Sequence, residues 1–323
     1  QLNNRVTVTA VFNATPANTA GMQEGDIIVE IDGVDAREFS TDSVSKVVRG
    51  TPGTKVLVSV EREGYDQPIP FDLTRAEVHV PTVRAGSVDD DVTYVVMDRF
   101  ARGAIQEMDS VLRDNAGMSG LVVDLRGNPG GYLDEALMLS DLFLSPGQKL
   151  ASTRSRTPGS DGERAEESWT DRVPPRIPDV PMVLLVDEFS ASASEILAGA
   201  LQDHDRALVV GQRSFGKGLV QTVMPLPHGR QIRLTTGEWL TPLGRSLHRA
   251  RANDGRPLPE DVDTFPRITS DSGRELVAAG GIFPDLTVQD DTLTLAERAL
   301  LQGAVEAEVP LPLRLAEFGF AEA

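Results

Sequence analysis

Apolar residues fall into short blocks separated by turn residues, and the spacing within the blocks changes along the chain. Up to about residue 75 the pattern is that of a small β-rich module. Ala17 to Met22 reads as a short helix. Gly25-Asp26 opens a strand over Ile27 to Ile31, which turns at Asp32-Gly33. Thr41 stands as an N-cap for a helix over Asp42 to Val48, with Val44, Val47 and Val48 on one face. Pro52-Gly53 makes a turn. Val56, Val58 and Val60 then share one side of a strand over Lys55 to Glu61.

A second pattern begins near Arg75. Strand candidates at Val92 to Met97, Leu121 to Leu125, Met182 to Val186 and Leu208 to Val210 alternate with helix candidates at Ala101 to Leu112, Leu133 to Phe143 and Ala193 to Gln202. Strands alternating with helices of this length predict an α/β core of stacked βαβ units. Residues 153–178 and 250–272 are polar and contain proline, so they read as surface excursions. Leu293 to Ala304 predicts a closing helix. The expected domains are 1–75 and 76–323, the second ending in a helical tail.

Charge and composition narrow the chemistry. Lys+Arg is 31 and Asp+Glu is 49, so the net charge is −18. Such a surface repels nucleic-acid phosphates and anionic lipid heads, which argues against a nucleic-acid partner. There is no cysteine, so disulfides, thiolate catalysis and zinc–thiolate sites are excluded. No apolar run approaches the roughly 20 residues of a membrane span. The chain opens at Gln1 without a methionine or a signal sequence and reads as a mature or truncated form.

Three segments carry the chemistry. The first is Asp124-Leu125-Arg126-Gly127-Asn128-Pro129-Gly130-Gly131, after a buried strand. Its glycine pair lets backbone N–H groups approach a ligand, although an ordinary strand-to-helix turn has the same look. The second is Phe189-Ser190-Ala191-Ser192-Ala193-Ser194-Glu195. Ser192 and Glu195 have capping-box spacing, so Ser192 is either an N-cap or a nucleophile at a positive helix end. The third runs from Gly211 to Gln221 and nearly matches the phosphate loop G-x-x-x-x-G-K-[ST]. Position 218 is glycine, and Leu219 to Val223 read as a strand, so a nucleotide site does not fit. On a strand Lys217, Leu219 and Gln221 share one face, and Lys217 is either a solvated charge or a buried amine. His79, His204, His228 and His248 lie in polar contexts outside any metal motif. No metal or other cofactor is expected.

In order and spacing these segments resemble the carboxy-terminal processing, or tail-specific, proteases. That family's pattern is D-L-R-x-N-x-G-G, S-A-S-A-S-E, F-G-K-G-x-V-Q and a late G-x-x-P-D. The chain supplies it at 124–131, 190–195, 215–221 and Gly281-Ile282-Phe283-Pro284-Asp285. The 25-residue separation of Ser192 and Lys217 also fits the family, and it selects Ser192 over Ser190 and Ser194. Thr15 to Gly33 is similar to the second part of a PDZ domain, with the first strands and the carboxylate-gripping loop missing. Residues 250–280 look longer than the family's usual link.

The resemblance implies a catalytic core of the Clp protease/crotonase type. It implies a serine endopeptidase that cuts proteins near their C-termini through a Ser192–Lys217 dyad and an acyl-enzyme. Lys217 would act as base, which needs the uncharged amine. Desolvation beside Phe215 and Leu219 would favour that form. Gln221 would orient the amine, and the N–H groups of Gly131 and Ala193 would hold the oxyanion. Glu195 is assigned to capping. Expected partners are proteins or peptides with accessible C-terminal tails, with a homo-oligomer or an adaptor protein as open alternatives. The expected place is the periplasm or cell envelope. The competing reading is a non-catalytic PDZ-containing binding protein on the same fold, like the retinoid-binding relatives of this core.

Overall fold

The computed structural model describes residues 5–12, 14–88, 91–155, 164–227, 230–252, 254–289, 294–307 and 309. The chain divides into two compact units, Gln1–Val80 taken with Asp291–Ala323, and Pro81–Asp290. The sequence reading divides it at 75/76 and assigns the closing helix to the second unit.

In the first unit, helix α1 (Pro16–Ala20) has Thr15 as N-cap and Pro16 in its first turn. Gly21, at φ +88°, ends it. Strands β1 (Ile27–Ile31), β2 (Val34–Asp35), β3 (Lys55–Glu61) and β4 (Ile69–Thr74) form an antiparallel sheet in the order β2-β1-β3-β4. Helix α2 (Thr41–Val48) is capped by Ser40, not by Thr41: the Ser40 hydroxyl accepts from the Ser43 N–H at 3.2 Å. Ile31, Val44, Val56, Val58, Val60 and Phe71 fill the core of this unit.

The second unit opens with the hairpin β5 (Val83–Val88) and β6 (Val92–Met97). Helix α3 (Ala104–Asp114), strand β7 (Gly120–Asp124) and helix α4 (Leu133–Asp141) follow. The expected start of α3 at Ala101 moves to Ala104, because Gly103 adopts φ +96° as its N-cap. Strands β8 (Lys149–Ser155) and β9 (Glu166–Thr170) pair with each other, so part of the expected excursion is regular structure. Then come β10 (Met182–Val186), α5 (Ala193–Asp203), β11 (Leu208–Gly211), β12 (Leu219–Pro225) and β13 (Gln231–Leu240). The 250–280 stretch holds the short pair β14 (Arg267–Thr269) and β15 (Glu275–Val277). Strand β16 (Leu286–Thr287) ends the unit. Helix α6 (Leu295–Glu306), capped by Thr294, closes the described chain with no buried residue.

Six strands form the central sheet, in the order β16-β11-β10-β7-β6-β5, parallel except for β5. The sequence shows why. Met182–Val186 and Gly120–Asp124 are apolar on both faces, as a strand covered by helices requires. Val123 and Leu184 are fully buried, and each such side chain contributes about 1.5–3 kcal/mol. Helices α3 and α5 make the β6-to-β7 and β10-to-β11 crossovers, so βαβ units are present as expected. A second sheet, β12-β13-β8-β9, is antiparallel. Among the described residues no helix is long and apolar enough to cross a membrane.

Candidate active site

Strands β7, β10 and β11 lie side by side and run in the same direction. Their carboxyl ends therefore open onto one edge of the sheet, where open α/β sheets bind ligands. The three segments singled out in the sequence are the loops leaving those ends: 125–131 after β7, 187–192 after β10 and 212–218 after β11. Parallel pairing thus gathers three loops that are far apart in the chain.

Hydrogen bonds lock the first two loops together. Asn128 is fully buried. Its amide nitrogen donates to the Met97 carbonyl at 2.8 Å, and its amide oxygen accepts from the Gly130 N–H at 2.9 Å. The Asn128 carbonyl accepts from the Ala191 N–H and from the Ser194 hydroxyl, both at 3.0 Å. The Ser190 hydroxyl donates to the Leu125 carbonyl at 2.8 Å. Ser190 and Ser194 are thus buried struts between loops. Ser192 is half-buried, and its hydroxyl is spent on no buried carbonyl, its one backbone approach being to the Glu195 N–H in the capping box. Of the three serines it alone keeps a hydroxyl available for chemistry. Ser192 and Glu195 are placed as a capping box, but the carboxylate half is the one that makes a hydrogen bond of ordinary geometry: the Ser192 N–H donates to Glu195 Oε2 at 2.8 Å.

The Ser192 backbone sits at φ +58°, ψ −111°, a conformation that costs a non-glycine residue about 1–3 kcal/mol. Its surroundings hold it there. A Cβ on Gly130 would lie 2.6 Å from the Ala191 carbonyl oxygen, 2.8 Å from the Ala193 nitrogen and 2.9 Å from the Ser192 Cβ. Gly130 also adopts φ +92°. Gly130→Ala should therefore push the nucleophile turn aside. We expect a stability loss of roughly 1–3 kcal/mol from overpacking, read as a lower urea midpoint, together with loss of Ser192 reactivity. A Gly130→Ala protein with unchanged midpoint and reactivity would show that this contact does not constrain the turn.

Two backbone donors remain at the turn. The N–H groups of Gly131 and Ala193 have no partner among the described residues, whereas the Gly130 N–H is taken by Asn128. Ala193 opens α5, so its N–H stands at the positive end of the helix.

Glu195 does more than its expected capping role. Its carboxylate is 1% exposed and accepts four hydrogen bonds. Oε1 takes the Ser214 hydroxyl at 2.6 Å and the Gly216 N–H at 2.7 Å. Oε2 takes the Lys217 and Ser192 N–H groups, each at 2.8 Å. One buried side chain thus ties the backbone of Ser192 to that of Lys217. Burial pushes its carboxyl above the usual glutamate range, while the four donors pull it down. The sequence showed only the i, i+3 spacing; the donors from 214–217 are a tertiary feature with no local signature.

Asp124, at the end of β7, accepts from Tyr94 Oη at 2.5 Å and from Arg126 Nη2 at 2.6 Å. Burial raises its carboxyl, but the Arg126 and Tyr94 hydrogen bonds win and hold it below the ordinary aspartate range.

Lys217 and Gln221 depart from expectation. Lys217 is exposed, not buried between Phe215 and Leu219. Phe215 faces the Arg251 guanidinium instead, and Leu219 is itself 37% exposed. Gln221 is exposed on β12, where the register with β13 shifts between Val220 and Gln221. Among the described residues, no hydrogen bond joins the Ser192 hydroxyl, the Lys217 amine and the Gln221 side chain to one another. Of the histidines, His204 contacts the Lys149 carbonyl at 2.7 Å. His248 is half-buried with its backbone against Gly218. His228 lies outside the described residues. No cluster of metal-binding side chains occurs among the described residues.

Residues 91–254 match the family description "Peptidase family S41", and residues 1–73 match "PDZ domain". A carboxy-terminal-processing protease of Bartonella bacilliformis is 35% identical over 268 residues, 80% of this chain and 60% of that protein. A carboxyl-terminal-processing protease of Synechocystis sp. is 34% identical over 284 residues, 85% of this chain and 64% of that protein. The chain thus spans less than two thirds of the length of these relatives. Among solved structures, a photosystem II D1 C-terminal processing protease gives a TM-score of 0.48 at 24% identity, covering 90% of this chain and 70% of that one.

Proposed function

We propose the following for this chain, which belongs to peptidase family S41 and carries a PDZ match ahead of its peptidase region: it is a serine endopeptidase that cuts proteins near their C-termini through Ser192 and Lys217. The observation that carries the proposal is the division of labour in Ser190-Ala191-Ser192-Ala193-Ser194. The outer two hydroxyls are buried struts, and the middle one is free at a strained turn.

In this reading an uncharged Lys217 amine takes the Ser192 hydroxyl proton as Oγ attacks the peptide carbonyl. The Gly131 and Ala193 N–H groups receive the oxyanion. The C–N bond breaks, the leaving amine takes the proton back from Lys217, and water then hydrolyses the Ser192 ester. In the free protein Lys217 is exposed and makes no hydrogen bond to Ser192 among the described residues. A substrate strand lying over the dyad would exclude water from the amine. Gln221 lies two residues beyond Leu219 on the same strand and is the candidate to receive a hydrogen bond from the amine. The named relatives also favour substrates with accessible C-terminal tails, and the family resemblance points to the periplasm or cell envelope as the place of action.

Treatment with a fluorophosphonate, followed by peptide mapping, tests the nucleophile. The expected result is one phosphonyl group, on Ser192. Modification of Ser190 or Ser194, or no modification under conditions where casein is cleaved, would overturn the assignment. The non-catalytic reading predicts neither labelling nor cleavage.

A further inference from the structure

The segment that begins at Arg249 packs against the loop that carries Lys217. Residues 250–252 and 254–258 fold back on themselves. The Leu258 N–H donates to the Ala250 carbonyl at 3.0 Å, and the Ala252 N–H to the Arg256 carbonyl at 2.9 Å. From this fold Arg251 reaches the lysine loop. Its Nη2 donates to the Phe215 carbonyl at 2.6 Å, and its guanidinium carbon lies 3.5 Å from the centre of the Phe215 ring. Its Nη1 donates back to the Gly255 carbonyl at 2.9 Å. The Arg249 N–H donates to the next carbonyl of the loop, Gly216, at 2.9 Å.

Glu260 anchors the base of this arrangement. One of its oxygens, Oε2, accepts from Arg213 Nη2 at 2.8 Å and from Arg249 Nε at 3.0 Å. Arg213 also donates to the Gly280 carbonyl at 2.7 Å and lies against the rings of Phe265 and Phe283. All three charged side chains are mostly buried, with 15–23% exposure. Glu260 therefore holds Arg213 of the lysine loop and Arg249 in a single shared contact.

The backbone of the lysine loop is consequently gripped from two sides. Its N–H groups at 216 and 217 go to Glu195, and that at 215 goes to the Ser190 carbonyl. Its carbonyls at 215 and 216 go to Arg251 and Arg249. The Lys217 side chain, by contrast, has no partner of its own among the described residues. The place from which the amine starts is set by this backbone, and the carbonyl side of the grip comes from Arg249 and Arg251.

We propose that residues 249–252 and 254–260 form a brace for Lys217, and that Arg251 and Glu260 are positioning residues for the dyad. Neither residue touches the reacting atoms. Arg251 acts through the Phe215 carbonyl and ring, and Glu260 acts through Arg213 and Arg249. The inference rests on the Ser192–Lys217 reading above. It adds that the lysine loop is held from a separate segment, which lies beyond the motif that carries Lys217. Placement errors of about 1 Å in a catalytic group cost up to roughly 100-fold in rate, which sets the scale.

The test compares wild type, Arg251→Ala, Arg251→Lys and Glu260→Gln in the full chain. Casein cleavage gives kcat and KM, fluorophosphonate labelling gives the Ser192 reactivity, and thermal unfolding gives Tm. Arg251→Ala should lower kcat roughly 10- to 100-fold with KM within about twofold, and should slow labelling in proportion. Arg251→Lys, which can still donate to the Phe215 carbonyl and lie on its ring, should recover part of the loss. Glu260→Gln keeps the shape and removes the charge, so it reports on the brace even where Arg251→Ala does not fold. It should lower kcat with Tm within a few degrees. Wild-type kcat and labelling in folded Glu260→Gln, and in Arg251→Ala where it folds, would overturn the brace, as would a loss expressed in KM alone. Wild type that is neither labelled nor active would instead overturn the proposed function, so the two failures are distinct.

Discussion

Ser192→Ala should bring casein cleavage down to background, a loss on the order of 10⁴- to 10⁶-fold, with the fold intact. Removing the hydroxyl forfeits only the capping-box approach to the Glu195 N–H, and that N–H keeps its bond to the Ser192 carbonyl at 3.0 Å. The Ser192 N–H remains held by Glu195. Ser190→Ala and Ser194→Ala should behave in the opposite way. Each removes a buried strut to the 125–128 loop and leaves a buried carbonyl short of one donor, a cost of about 1–3 kcal/mol. Their first effect should be on the urea midpoint. Lys217→Ala should cost about 10²- to 10⁴-fold in kcat, the range for loss of a general base. The double variant Ser192→Ala with Lys217→Ala should be no worse than Ser192→Ala alone, because residues that act as one unit are not additive. If Lys217→Ala lowered activity further in the absence of Ser192, the lysine would be serving a route independent of the serine.

The sequence revealed most where physical chemistry is local. The alternation in Lys55 to Glu61 and the apolar block at Met182 to Val186 each encode a strand in their own residues, and both strands have the expected bounds. The strand-helix alternation was enough to read the βαβ core. What the chain concealed was pairing between distant segments. Strand β9 and the end of β8, residues 153–155, fall where the sequence predicts a surface excursion, because these mostly polar residues carry no apolar periodicity of their own. The candidate residues were legible as motifs, but their states were not. Lys217 has apolar neighbours in sequence, yet it is exposed, because Arg251 from a distant segment occupies the Phe215 ring. Ser190, Ser192 and Ser194 look alike in the sequence. They differ only through the Leu125 and Asn128 carbonyls that meet the outer two.

Glu195→Gln should be among the most damaging single-atom changes in the protein. The native carboxylate is an acceptor at both oxygens, and each oxygen faces two donors. An amide keeps one acceptor and turns an N–H₂ toward the other pair. With the amide oxygen toward Ser214 and Gly216, the N–H groups of Ser192 and Lys217 face another donor. The Ser214 hydroxyl can rotate and accept, whereas the two backbone donors cannot, so this orientation forfeits the tie between the dyad residues. The alternative orientation leaves the Gly216 N–H unpaired instead. Each buried donor left unpaired costs about 1–3 kcal/mol, and the lost tie should lower kcat by roughly 100-fold. The pH dependence separates this from general destabilisation. Because the native carboxyl of Glu195 lies above its ordinary value, the folded state binds the proton more tightly than the unfolded chain does. Its contribution to stability is therefore fully present below the unfolded value of about 4.3, and it is lost as pH rises through the higher native value. Glu195→Gln has no such proton, so the stability of wild type relative to the variant should fall as pH rises through the native value. Urea midpoints of both proteins between pH 4 and pH 8, taken together with kcat, measure this directly. A constant difference across that range, with unchanged kcat, would mean that the Glu195 carboxylate neither takes up a proton in the folded state nor ties Ser192 to Lys217.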